Sequence, residues 1–435
     1  DWSSDVCSSD LLPKKMKTRP VVDLNSYVVL GLTRGNVITV LDPFFGFGST
    51  QMVTTVRLPG QGEDWTVGPD EKYVYVTIPK RNLVAAVSTD TWEVVREIEV
   101  GTRPTRLVKQ PGAGRLWVAT DGGPESGVTV VDMVTGRVAG SVVTGEGHHE
   151  IVFRPDGRRA FVTNPGGGTV SVVDADRLVV TETLETGSRP VDLAWSGHSG
   201  QLYVVDRDDG TVLAFDGRTL EPRARMAGTP GLRHLEFDPS DRWGFLLNRE
   251  TDEVHVLDAE EDRIRYGLLS EGKPDEVAFT ENFAYVRSRA SSQVMMIGLR
   301  SLEPGTRGGS FARDFSGEGE AVGGETGVSA VHFPAGEAPP RKAGQLALAE
   351  PMDQAPHKRD ALYVPNPFEK SIYYYHYMEG MPTPAGNLKT YRFEPVAAMT
   401  VGRRMDEVKP GVYEAVVRIP SAGDGLPLPR PVPPP

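Results

Sequence analysis

The chain has 435 residues, is 39% hydrophobic and carries a formal net charge of −12 without a Lys/Arg-rich block, which argues against nucleic acid as a partner. No run of about 18 apolar residues occurs, so no segment reads as a transmembrane segment. Its single cysteine, Cys7, excludes a disulfide framework, a CxxC metal site and a CxxCH attachment for c-type haem within this chain, while 48 glycines and 35 prolines favour many short strands and turns.

Residues 1–18 are set aside as an artefactual or disordered tail, because Asp1 to Leu11 reads DWSSDVCSSDL, like a translated sequencing adaptor. From residue 19 to 301 a unit of about 42 residues recurs. A first copy starts at Arg19 (RPVVDLNSYVVLGL) and a second at Gly62 (GEDWTVGPDEKYVYVT). Five more begin near Arg103, Gly147, Arg189, Gly231 and Lys273. Each pairs an apolar strand with a second one after a turn, as in GHHEIVFRPDGRRAFVTN. A third strand follows, as in GVTVVD, TVSVVD, TVLAFD and EVHVLD, ending on Asp132, Asp174, Asp216 and Asp258 at intervals of 42. These aspartates read as turn formers that accept backbone N–H bonds. A looser fourth strand closes each unit. Four strands with Gly/Asn/Asp turns make one blade, so the fold class is all-β, a β-propeller. A blade cannot bury both faces alone, and a closed ring of blades can.

Residues 302–380 read as a Gly/Pro-rich insertion followed by an irregular last blade, in which Tyr363–Pro367 and Ser371–Tyr375 imitate the second and third strands. The expected count is eight blades, with seven as the alternative. Residues 381–435 change style. EPVAAMTVGRR and PGVYEAVVRIP look like strands of a truncated β-sandwich before a Pro-rich end.

AFVTN at 160–164, LYVVD at 202–206, PDG at 155–157 and TVSVVD at 169–174 resemble the YVTN repeat. Over residues 19–301 the chain is similar to the YVTN/YncE-like propellers and their cytochrome d1 haem-domain-like relatives. SIYYYHYMEGM and PGVYEAVVRIP resemble the C-terminal part of proteins called cytochrome D1 domain-containing. The resemblance implies export to the periplasm, with a signal peptide missing from this chain. It also implies a non-covalent haem on the propeller axis with histidine nearby.

The residues just before each innermost strand surround the mouth of a propeller's channel. The alignment places there Asp64, Arg106, Glu150, Asp192, His234 and Glu276, at spacings of 42, 44, 42, 42 and 42. His148 and His149 adjoin Glu150 in the one repeat with two extra residues, Arg233 adjoins His234, and Asp275 adjoins Glu276. For a cofactor the candidates are His148, His149, His234, Arg106 and Arg233. For a metal they are His149, His234, Glu150, Asp192, Asp64 and Glu276, since imidazole and carboxylate suit Zn, Cu or Fe. The bland alternative is a solvated polar mouth whose charges pair with neighbours. His376, Met378 and Met381 form a second, copper-type candidate, set against simple Met/Tyr packing. His255 reads as solvent-facing.

The function expected is therefore an exported binding propeller, associated with electron transfer or with metal or haem handling, that works with a protein partner such as a c-type cytochrome. Alternatives are a cofactor-dependent oxidoreductase related to haem d1 propellers and a lactonase-like metal hydrolase.

Overall fold

In the computed structural model the described residues are 27–43, 51–288, 290–304, 327–336, 352–354, 361–378, 381–402, 406–409 and 412–414. They form eight four-stranded antiparallel sheets, the blades of a propeller, which settles the count at eight. The innermost strands of blades 2 to 7 are Trp65–Val67, Pro104–Lys109, Ile151–Phe153, Pro190–Ser196, Leu232–Phe237 and Pro274–Phe279, and blade 8 starts with Asp353–Gln354.

Burial follows position in the blade. The second strand is buried almost throughout, as in Trp243–Asn248, whereas the outer strand Val94–Glu99 buries only Ile98. The seams between blades repeat one packing motif. A large side chain from the second strand meets an aromatic of the next blade's innermost strand, three residues beyond the ring position. Trp117 meets Phe153 (ring centroids 5.1 Å), Phe161 meets Trp195 (6.2 Å), Tyr203 meets Phe237 (5.4 Å) and Phe245 meets Phe279 (5.3 Å). Such contacts add to the burial of apolar area that drives the ring together.

Two strands come from unexpected places. The outer strand of blade 7, Ala330–Pro334, follows the Gly/Pro-rich stretch, so that stretch interrupts a blade. Blade 1 consists of Tyr27–Thr33, Val37–Leu41 and Met52–Arg57, and its fourth, innermost strand is Pro395–Gly402. The β-sandwich expected from residue 381 therefore does not describe residues 381–402. Met381–Lys389 is the outer strand of blade 8, and Pro395–Gly402 returns to pair with the start of the propeller. The reason is apolar: Val396, Ala397 and Val401 bury themselves in one core with Val28, Leu30, Leu32 and Trp65. Closure in this manner completes the first blade with the end of the propeller and so covers the blade faces that an open ring would expose. RPVVDL, the expected first strand of blade 1, lies outside the described residues.

The propeller unit spans Val28–Val401. The other unit combines Asp1–Tyr27 with Gly402–Pro435, and its described residues include a hairpin of Asp406–Lys409 with Val412–Glu414.

The strand-ending aspartates are turn formers. Asp132 accepts the Thr135 N–H (2.7 Å), Asp174 those of Asp176 and Arg177, Asp216 those of Arg218 and Thr219, and Asp258 that of Glu260.

Candidate functional site

The innermost strands of blades 3, 5, 6 and 7 begin with a break in register, between Pro104 and Leu107, Pro190 and Asp192, Leu232 and His234, and Pro274 and Glu276. Such bulges re-aim side chains. They bring the ring residues to the end of the propeller where the innermost strands start. The turns between second and third strands reach the same end, because antiparallel strands reverse direction twice between them.

The ring residues do not converge on one point. They pair across seams between neighbouring blades. Asp64 accepts the N–H of Leu107 in the next blade (2.8 Å) and that of Trp65 (2.8 Å). Arg106 Nε lies 2.7 and 2.9 Å from the two carboxylate oxygens of Glu150. Asp192 accepts the N–H of Leu235 (2.9 Å) and contacts His234 Nδ1 (3.1 Å). Glu276 accepts the N–H of Met352 (3.0 Å), while its neighbour Asp275 pairs with Arg287 (2.6 Å). Arg233 is exposed at the mouth. Among the described residues no group of three or more His, Cys, Asp or Glu side chains is placed to hold a metal ion.

Two imidazoles stand in this mouth, each between two carboxylates. His148 Nδ1 meets Asp121 Oδ2 at 2.8 Å and its Nε2 meets Glu150 Oε1 at 3.1 Å. His234 Nδ1 meets Asp192, and its Nε2 is 3.4 Å from Glu236. Their side chains are 38% and 26% exposed. Burial opposes protonation of both rings, but hydrogen bonds and charge from the flanking carboxylates outweigh it and raise each to about 10. Both are cationic at neutral pH. Burial likewise works against a charged Glu150, yet Arg106 and His148 prevail and hold it at about 2. Asp64 has less help. Burial dominates Arg106 and the two backbone donors, and its carboxyl rises to about 6.

His149 parts company with His148. It is fully buried; Nδ1 donates to the Thr163 carbonyl (2.6 Å), and Nε2 lies 3.0 Å from the Ser126 hydroxyl, which also reaches the Gly145 carbonyl (2.6 Å). Burial lowers its pKa and keeps it neutral. Adjacent residues of an extended chain face opposite ways, so one of the pair meets the mouth and the other the seam. Of the two histidines expected as ligands, His149 is turned into the seam and His148 is the one at the mouth. His255, expected to face solvent, is buried against Thr229 (2.9 Å) and Glu253 (3.3 Å). Its third strand lies inside the blade, shielded by the outer strand Arg263–Leu269. His376 lies on blade 8's third strand, half-buried, and the side chains of Met378 and Met381 are outside the described residues.

Sequence reasoning missed Asp121 and Glu236. Asp121 belongs to a turn of blade 3 and carries no repeat signal. Glu236 did: two residues beyond the ring, the other repeats have Thr66, Val108, Val152, Ala194 and Ala278, and only this one is charged.

No protein-family profile matches the chain. NirF of Pseudomonas aeruginosa is 24% identical over 255 residues, 54% of this chain and 64% of NirF, so the match spans less than two thirds of that relative. The uncharacterised protein YncE of Salmonella typhi is 24% identical over 246 residues, 52% of this chain and 68% of YncE. Among solved structures, dihydro-heme d1 dehydrogenase NirN in complex with DHE superposes with a TM-score of 0.61 at 11% identity, covering 88% of this chain and 78% of NirN. Apo AztD from Citrobacter koseri gives 0.60 at 12% identity, covering 87% and 98%. At such identities the solved structures speak for the fold alone. The chain is an eight-bladed β-propeller, similar in sequence to YncE and NirF and in fold to NirN and AztD.

Proposed function

We propose that this propeller is an exported binding protein that takes a haem-type tetrapyrrole at its mouth and hands it to, or exchanges electrons with, a protein partner. One observation carries the reading: two part-exposed histidines, His148 and His234, each have Nδ1 fixed by a carboxylate, Asp121 and Asp192. A carboxylate on Nδ1 is the support that orients metal-ligating imidazoles, although here each Nε2 rests on a second carboxylate, Glu150 or Glu236, which must give way first. Among the described residues a bare metal ion finds no third donor here. A macrocycle brings four of its own and needs one imidazole from the protein. This donor count also leaves the metal-hydrolase reading without support, since such a site needs about three protein ligands.

His148 Nε2 or His234 Nε2 would hold the iron, and exposed Arg233 and Arg103 suit carboxylate side groups at the rim. Bound, the group would supply one-electron chemistry or travel as cargo. For His148 to serve, Nε2 must leave Glu150 and lose its proton, and Glu150 keeps Arg106 as its partner. The name of NirN places heme d1 chemistry on the same fold, which supports the choice of ligand class. Export and a c-type cytochrome partner follow from the resemblance alone.

Isothermal titration calorimetry with haemin and with iron-free protoporphyrin tests the reading. The expected result is one haemin per chain, bound at least about tenfold more tightly than the iron-free ring. Equal affinity for the two would remove iron ligation, and no heat with either would end the proposal.

A further inference from the structure

We propose that the outer edge of blade 3 is a self-pairing surface through which two copies of this chain associate. Outer strands are where a propeller leaves backbone donors and acceptors unpaired, and proteins guard such edges with charge or proline. The outer strand of blade 5, Pro222–Ala227, has Pro222, Arg223 and Arg225, and that of blade 6 has Arg263 and Arg265. The outer strand of blade 3, Arg137–Val143 (RVAGSVV), has one charge, at its first residue. Val138 and Val143 on it are 45% and 57% exposed, and Val134 just before it is 79% exposed. A cleft of about 330 Å³ runs beside this strand, between blades 2 and 3, with Val138 and Val143 in its wall.

Charge at the two ends of the strand selects the occupant. Arg137 stands at its start, while Glu99 and Glu125 line the cleft at its other end, beside Val143, and all three are exposed. An antiparallel strand paired with its own copy about a two-fold axis sets the start of one against the end of the other. Arg137 of each copy then faces the partner's Glu125 end, twice per dimer, and the valines cover one another. A chain bearing a different sequence would need its own matching pattern; a second copy already has it.

Sedimentation velocity on the full chain, over a range of concentrations, tests this. The expected result is a reversible monomer–dimer equilibrium. Val138→Lys with Val143→Lys, both at exposed sites, should weaken it at least about tenfold. Arg137→Glu or Glu125→Arg alone should each weaken it by about three- to tenfold, and the two together should restore it. Circular dichroism confirms that each variant is folded. A chain that stays monomeric at every concentration would overturn the proposal. So would a dimer indifferent to the lysines, or a charge swap that restores nothing.

Discussion

The seam between blades 3 and 4 and the seam between blades 5 and 6 reach the same arrangement by different routes. At the second seam the ring residue itself is the imidazole, His234, between Asp192 of the preceding blade and Glu236 of its own strand. At the first seam the ring residue is Glu150, clamped by Arg106, and the imidazole is His148 from the loop before it. That loop belongs to the repeat with two extra residues, which also brings in the buried His149. The packing beneath is the same in both, an aromatic pair from adjacent blades. The comparison teaches that the scaffold sets where a charged group sits, and local loop length sets which group it is and how strongly it is held.

The largest expected effect tests the shared part. Trp117→Ala at the first seam and Tyr203→Ala at the second each remove a fully buried aromatic, and each should cost about 3–5 kcal/mol in chemical denaturation. A loss confined to one seam would show that the repeats do not pack equivalently. Next comes the clamp that only the first seam has. Arg106→Met leaves Glu150 without its main partner and should cost about 3 kcal/mol, most of which returns in the double change with Glu150→Met. His149→Ala should cost about 1–3 kcal/mol, because the Thr163 carbonyl loses a buried donor, while the Ser126 hydroxyl keeps the Gly145 carbonyl.

The smallest effect is a slope. His148 and His234 bind a proton more tightly in the folded chain than the ordinary 6.5, up to about 10. Between these values the folded state holds more protons than the unfolded state, so stability falls as pH rises from near 7 to 10. Asp64, raised to about 6, gives the same sign between about 4 and 6; Glu150, lowered to about 2, gives the opposite sign, with stability lost as pH falls below 4.5. Thermal melts across pH should show the alkaline decline, and His148→Gln and His234→Gln should each flatten part of it. A flat alkaline limb in the unaltered chain would mean that neither imidazole is held as a cation.

How legible was this in the sequence? The blades were, because second and third strands such as AFVTN and TVSVVD are buried on both faces and repeat at a constant interval. The ring positions were legible for the same reason. Their pairing was not, since Asp121 comes from a different turn and the loop before Ile151–Phe153 decides which way His148 and His149 face. Nor was the closure of blade 1. Pro395–Gly402 pairs with a strand more than 350 residues earlier; its Glu394–Pro395 opening matches Arg189–Pro190 and Lys273–Pro274, but no copy of the second and third strands follows it in the sequence, so it did not read as part of a blade.

The central claim is that a mouth imidazole ligates a haem-type iron. An absorption titration with haemin tests it most directly, on the unaltered chain, on His148→Ala, on His234→Ala and on the double variant. A saturable Soret shift that one single variant abolishes, and that the double variant lacks, is the predicted result. The same spectrum and affinity in all four proteins, or no saturable shift in any, would contradict it.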